Sequence, residues 1–276
     1  MKRILTAAVV LPVLLFSIWT ETPYFFVALA AVATILALGE FYNLAAKVGC
    51  STQPALGFVA AILVIACFML DTAEWIVAVL AVLSMSSLVL ALTRPDQMNK
   101  SLVTVALTVA GVVYVAVLAG CLVGVRMIPD SLTQLPTPRL SSKLLMMFFA
   151  MVIFADTGAY YTGRLLGRHK LAPKISPGKT VEGAVGGLIA ALAAGPLSRL
   201  LFFHEIPILH AIVLGGLIGV LGPLGDLSES MLKRGAGVKD SGMLLPGHGG
   251  MLDRVDSILF CAPLLYYYSR LFISRM

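Results

Sequence analysis

The chain has 276 residues, 59% of them hydrophobic and 12% charged, with a formal net charge of +6 and a mean hydropathy of +0.96. Soluble chains carry about a quarter charged residues, so this one has about half the charge it would need to cover itself in water. That excludes a soluble enzyme, a disordered scaffold and a DNA-binding domain, removes nucleic acid from the partners, and makes the lipid bilayer the main solvent.

A bilayer core about 30 Å thick takes about 20 apolar residues as helix. Runs of that kind fall at 4–20, 23–46, 55–70, 75–93, 101–125, 144–166, 182–203, 207–225 and 255–273. The fold class is therefore all-α, a polytopic membrane helical bundle of about nine transmembrane helices. The third run is short and the second frays near Glu40 and Asn43, so eight or ten spans are the alternatives. Met1-Lys2-Arg3 before an apolar run imitates a secretory leader, but no small-x-small cleavage site follows, so it reads as a retained first span. With the N-terminus in the cytoplasm, 14 of the 20 Lys and Arg residues fall on the cytoplasmic side, as the positive-inside rule requires. The location expected is the cell (inner or plasma) membrane, with the N-terminus and the polar loops cytoplasmic. Cys50, Cys67, Cys121 and Cys261 form no CxxC pair, and read as small buried residues rather than a disulfide framework or a zinc site.

Eight of the 14 acidic residues lie beyond position 150. The chain thus divides into N-terminal membrane scaffold helices, 1–143, and C-terminal helices with cytoplasmic loops that carry the chemistry, 144–276, within one integrated membrane domain. Three features stand out there. Asp156-Thr157-Gly158 sits in the sixth span, where an ionised Asp costs about 2.5–3.5 kcal/mol and needs a partner, a proton or a cation. The loop 164–183 contains Ser176-Pro177-Gly178-Lys179-Thr180-Val181-Glu182-Gly183. Its Gly-Lys-Thr imitates the tail of a Walker A loop, but Pro173 stands where that motif needs glycine, and such a loop follows a strand that a membrane bundle is not expected to offer. What remains is a positive loop that ends at a helix N-terminus, a place suited to an anion.

The third feature is the strongest. From Asp226 to Asp256 there are nine charged residues in 31. Asp226, Glu229, Ser230 and Lys233 share one helix face, Asp253 and Asp256 open the last span, and a loop rich in glycine joins them. Hard carboxylate oxygens without Cys or His suit magnesium better than zinc. Lys233, Arg234, Lys239 and Arg254 beside them suit phosphate oxygens. The residues alone describe a magnesium-dependent polyphosphate site at a membrane surface, and phosphoryl or nucleotidyl transfer to a lipid as the leading class.

The same block resembles the signature of the phosphatidate cytidylyltransferase (CDP-diacylglycerol synthase) family. It supplies Ser230, Lys233, Arg234, Lys239, Asp240, Pro246, His248, Gly249, Gly250, Asp253, Arg254 and Asp256 without a gap. Asp156-Thr157-Gly158 and the 176–183 element are similar to that family too, although Gly178 stands where relatives often carry a polar or basic residue. The resemblance covers about 150–260. It implies transfer of CMP from CTP to phosphatidate, giving CDP-diacylglycerol and pyrophosphate for phospholipid biosynthesis. It also implies a homodimer that uses Mg2+ with a second cation such as K+. Carried over by position, Asp226 and Asp253 are the metal ligands, and Asp256 and Lys233 complete the catalytic group. Asp156, Ser176, Lys179, Thr180, Ser230, Arg234, Lys239, His248 and Arg254 face substrate, His248 either as a phosphate donor or as the residue that orders its turn. The competing readings are another CTP-dependent lipid nucleotidyl or phosphoryl transferase, and an ion-coupled membrane transporter.

Overall fold

The computed structural model describes residues 2–93, 98–132, 137–242 and 249–275. Ten helices follow in chain order: α1 (Lys2–Trp19), α2 (Tyr24–Lys47), α3 (Pro54–Met69), α4 (Ile76–Leu92), α5 (Met98–Gly111), α6 (Leu118–Arg126), α7 (Leu140–Leu166), α8 (Val181–Leu201), α9 (Ile208–Gly235) and α10 (Leu252–Leu271). A π-helical stretch, Val112–Val117, joins α5 to α6 without a break, so the fifth predicted run is one rod from Met98 to Arg126. Every predicted apolar run is found in a helix. Among the described residues, six helices are long and apolar enough to cross a membrane, and α3 is a shorter apolar helix. The fold is all-α and polytopic, and the chain is an integral membrane protein. Val77 and Leu92 of α4 are exposed, as suits side chains that meet hydrocarbon rather than water.

The residues group into two units. The first comprises Met1–Met127 with Leu232–Val255, the second Ile128–Met231 with Asp256–Met276. The first unit thus takes in the end of α9 and the start of α10, a different partition from the 1–143 and 144–276 division. Large rings fill glycine notches in it: a Cβ at Gly120 would lie 2.3 Å from the Phe68 ring, and one at Gly57 only 2.0 Å from the Tyr42 hydroxyl. Buried polar ties add direction. Tyr42 donates to the Thr108 carbonyl, Gln53 N–H to Thr108 Oγ1, and Gln53 Nε2 to the Ser87 carbonyl.

In the second unit, α7 and α8 are joined by an antiparallel hairpin, β1 (Lys170–Ala172) with β2 (Ser176–Thr180), Lys170 opposite Thr180 and Ala172 opposite Ser176. The two helices approach through small residues. A Cβ at Gly158 would stand 2.9 Å from the Gly186 carbonyl oxygen, and one at Gly187 2.8 Å from that of Ala155. Apolar surface gives no net drive between helices in lipid, so close backbone packing of this kind does the work. The pattern continues into α9, where Gly195 faces the Ala211 carbonyl oxygen and Gly215 that of Ala191.

Candidate active site

In the second unit, Asp226 stands in α9, one turn below Ser230. Ser230 Oγ donates to Asp226 Oδ1 at 3.3 Å, and Lys179 Nζ lies 2.7 Å from Asp226 Oδ2. Local structure aims that lysine. Lys179 is in β2, and the next residue, Thr180, is both the end of the strand and the N-cap of α8, its Oγ1 accepting from Gly183 N–H. Thr is among the residues favoured there because its oxygen satisfies one of the unpaired first-turn donors. The Asp226 side chain keeps 38% of its surface open. Glu229, between Asp226 and Lys233 on the same helix, is fully buried.

In the first unit, Lys233 and Asp253 form a second acid–base pair, Nζ to Oδ1 at 2.5 Å, with side chains 11% and 6% exposed. The other oxygen of Asp253 collects the loop: Oδ2 accepts from Ser241 N–H and Gly250 N–H at 3.0 and 2.7 Å and lies 3.0 Å from Ser241 Oγ. Gly249 has a φ of +78°, and a Cβ there would come within 2.7 Å of Asp253 Oδ2, so glycine alone lets the turn wrap the carboxylate. Asp253 also lies in the first turn of α10, where the helix dipole favours a negative charge. Lys233 and Arg234 fall in the last turn of α9, the complementary end. Arg234 donates to the Val238 carbonyl and closes the turn at Gly237.

The remaining predicted residues are placed as follows. Arg234, Lys239 and Arg254 are exposed. Asp256, in the second unit, accepts from Ser257 N–H through Oδ1, and its carbonyl oxygen lies 2.7 Å from where a Cβ on Gly225 would stand. Ser176 is half-buried at the start of β2. His248 lies outside the described residues. Asp156 is exposed, on a face of α7 where Ile153, Phe154, Thr157 and Tyr160 are exposed as well. The segment 164–183, read as a positive loop, is a hairpin. Its exposed Arg168 and Lys170 flank His169, which pairs with Glu182 at 2.6 Å.

One residue escaped the sequence reading. Glu40, taken as fraying of the second span, is 7% exposed and binds the start of α10. An acid inside an apolar helix was the available signal; its partners lie some 200 positions along the chain.

The sequence matches the cytidylyltransferase family over residues 1–272. The chain belongs to that family. It is similar to the phosphatidate cytidylyltransferases of Bacillus subtilis, 49% identical over 127 residues covering 45% of this chain and 47% of the relative, and of Staphylococcus saprophyticus, 53% identical over 118 residues covering 42% and 45%. That of Synechocystis is 52% identical over 120 residues, covering 44% of this chain and 41% of the relative. The matched stretch thus spans a little under half the length of each of these relatives.

A magnesium ion fits the donor chemistry of this family member unequally at its two candidate aspartates. Asp226 offers hard oxygens on a partly open side chain. Asp253 accepts from Lys233, Ser241 N–H and Gly250 N–H and has the Ser241 hydroxyl beside it, so it is less open to an ion than Asp226. Among the described residues no group of three or more His, Cys, Asp and Glu converges to hold an ion. Magnesium is commonly held by one or two carboxylates with substrate phosphates and waters completing the shell.

Proposed function

We propose that the protein transfers CMP from CTP to phosphatidate, releasing pyrophosphate and leaving CDP-diacylglycerol in the membrane. The reading is carried by the unbroken Ser230–Asp256 motif, in which Asp253 is bound to Lys233 and to the loop, in a chain of the cytidylyltransferase family. It is supported by identities of about half the positions with proteins named phosphatidate cytidylyltransferase. The protein works as a homodimer of nine-span chains, with the N-terminus and the active-site loops in the cytoplasm, where CTP is found.

The chemistry needs no strong general base. A phosphate oxygen of phosphatidate forms its bond to the α-phosphorus of CTP as the α–β anhydride bond breaks, and the electron pair leaves with pyrophosphate. The obstacle is repulsion between two anions, so the residues required are cations held in place. Lys179 and Lys233 meet that need. An ammonium has three N–H donors, and Lys179 Nζ, ion-paired with Asp226 but without a hydrogen-bond partner among the described residues, has donors to offer a phosphate. Arg234, Lys239 and Arg254, all exposed, provide further cations for the triphosphate. Asp226 is the first carboxylate for magnesium, which when bound neutralises charge on the phosphate oxygens.

The test is incorporation of radiolabelled CTP into a chloroform-soluble product by the purified full chain, with phosphatidate, an ether lipid, a polyprenyl phosphate or no lipid. Label that appears only with phosphatidate supports the reading. Label favouring another acceptor moves the substrate, and an ion or lipid flux without CTP consumption overturns it.

A further inference from the structure

Glu40 is an acid in the middle of α2, an otherwise apolar helix, and its carboxylate is spent entirely on the loop that closes the signature. Oε1 accepts from Met251 N–H at 2.9 Å, and Oε2 accepts from Leu252 N–H and Ser241 Oγ, both at 2.8 Å. Leu252 is the first residue of α10 and Met251 precedes it, so these N–H groups have no acceptor within their own helix. Glu40 supplies the acceptor, and its negative charge lies at the positive end of the helix dipole.

The loop is shaped to admit it. A Cβ at Gly242 would stand 2.5 Å from Glu40 Oε1, and one at Gly250 2.3 Å from Oε2. Two glycines, at opposite ends of the loop, leave space for one carboxylate. The same loop ends bind Asp253: Ser241 and Gly250 both donate to its Oδ2, and the Ser241 hydroxyl lies within hydrogen-bond distance of both acids. The unit is built from α2 and the 232–255 segment alone.

We propose that Glu40 is a positioning residue for the signature: it fixes both ends of the 241–252 loop and so holds the Asp253 carboxylate toward Lys233. Its significance for catalysis rests on the proposed CTP chemistry; the tie itself does not. The hydrogen bonds of Glu40 go to the loop ends, so it acts through Asp253.

The experiment uses the full chain in detergent or nanodiscs, comparing wild type with Glu40→Gln and Gly250→Ala. Glu40→Gln keeps the size but turns one acceptor into a donor facing the Met251 or Leu252 N–H. Gly250→Ala crowds the Ser241 hydroxyl and the Glu40 carboxylate together with α2 unchanged. Hydrogen exchange at the Met251 and Leu252 amides is expected to rise by at least about tenfold in both, since charge-assisted bonds of this kind are worth that much or more, while α4 amides exchange as in wild type. The kcat for CDP-lipid formation is expected to fall by about the same factor or more, with KM for CTP changed less than about threefold. Unchanged exchange at 251–252 in the folded Gly250→Ala protein, or a loss confined to KM, overturns the proposal. Wild-type protein that consumes no CTP overturns the CTP reading alone, and the exchange data then still decide whether Glu40 holds the loop.

Discussion

Lys233 Nζ lies 2.5 Å from Asp253 Oδ1, and neither side chain has more than about a tenth of its surface open. A buried pair of this kind adds little over a well-packed apolar pair, but removing one partner strands the other and costs about 3–5 kcal/mol. Asp253 is therefore as much a part of the fold of its loop as of any chemistry.

Asp253→Asn should abolish CDP-lipid formation and also lower the melting temperature in detergent, because Lys233 loses its counter-charge and one carboxylate oxygen becomes a donor facing donors. Thermal unfolding followed beside the radiolabel assay checks both. An inactive protein that melts like wild type would mean that the Lys233 pair contributes nothing to the fold.

Asp226→Asn should separate the two effects. Its partner Lys179 is 23% exposed and the aspartate 38%, so the pair contributes at most about 1 kcal/mol. Activity should fall by about 10²–10³, the loss seen when a charge-stabilising group is removed from a reaction site, with the melting temperature almost unmoved. Turnover close to wild type would remove Asp226 from the site.

Chelation should stop the reaction. With EDTA the labelled lipid product should vanish, and added magnesium should restore it, if Asp226 holds the ion as proposed. Full activity in metal-free buffer would leave the lysine and arginine side chains as the source of charge neutralisation.

Glu205, in the turn between α8 and α9, binds Lys143 at 2.5 Å. Burial pushes its carboxyl up, but the hydrogen bond and charge of Lys143 outweigh that and hold it below the ordinary glutamate range. The folded value is below the unfolded one, so the stabilisation is present above the ordinary value of about 4.3 and is lost as pH falls through the lowered value. Melting temperatures from about pH 6 downward should fall by the equivalent of at most about 1 kcal/mol of stability, a fall that Lys143→Met abolishes.

Gly195→Ala should destabilise the second unit. Its Cβ would be 2.2 Å from the Ala211 carbonyl oxygen, a backbone atom that cannot rotate away, so α9 must shift at a cost of about 1–3 kcal/mol. Gly235→Ala, where nothing lies within 4 Å, is the matched control and should melt like wild type.

The helices were legible because composition and run length carry them: nine apolar runs, each recovered in a helix. The Ser230–Asp256 block was legible as a site because nine charges in 31 residues have no place in hydrocarbon. What the sequence hid was long-range partnership. Lys179 and Asp226 are 47 positions apart, and nothing local in either segment names the other. Glu40 looked like the polar end of a span since its donors, Met251 and Leu252, are backbone groups that any sequence possesses. The hairpin at 170–180 was hidden by its charge, as Lys170, Lys174 and Lys179 read as a solvated loop whether or not their backbones pair.

Thr180 ends β2 and starts α8 in a single residue, which leaves Lys179 on main chain anchored from both directions. Any anion served by Lys179 therefore meets a cation whose main chain is held by strand pairing on one side and a capped helix on the other.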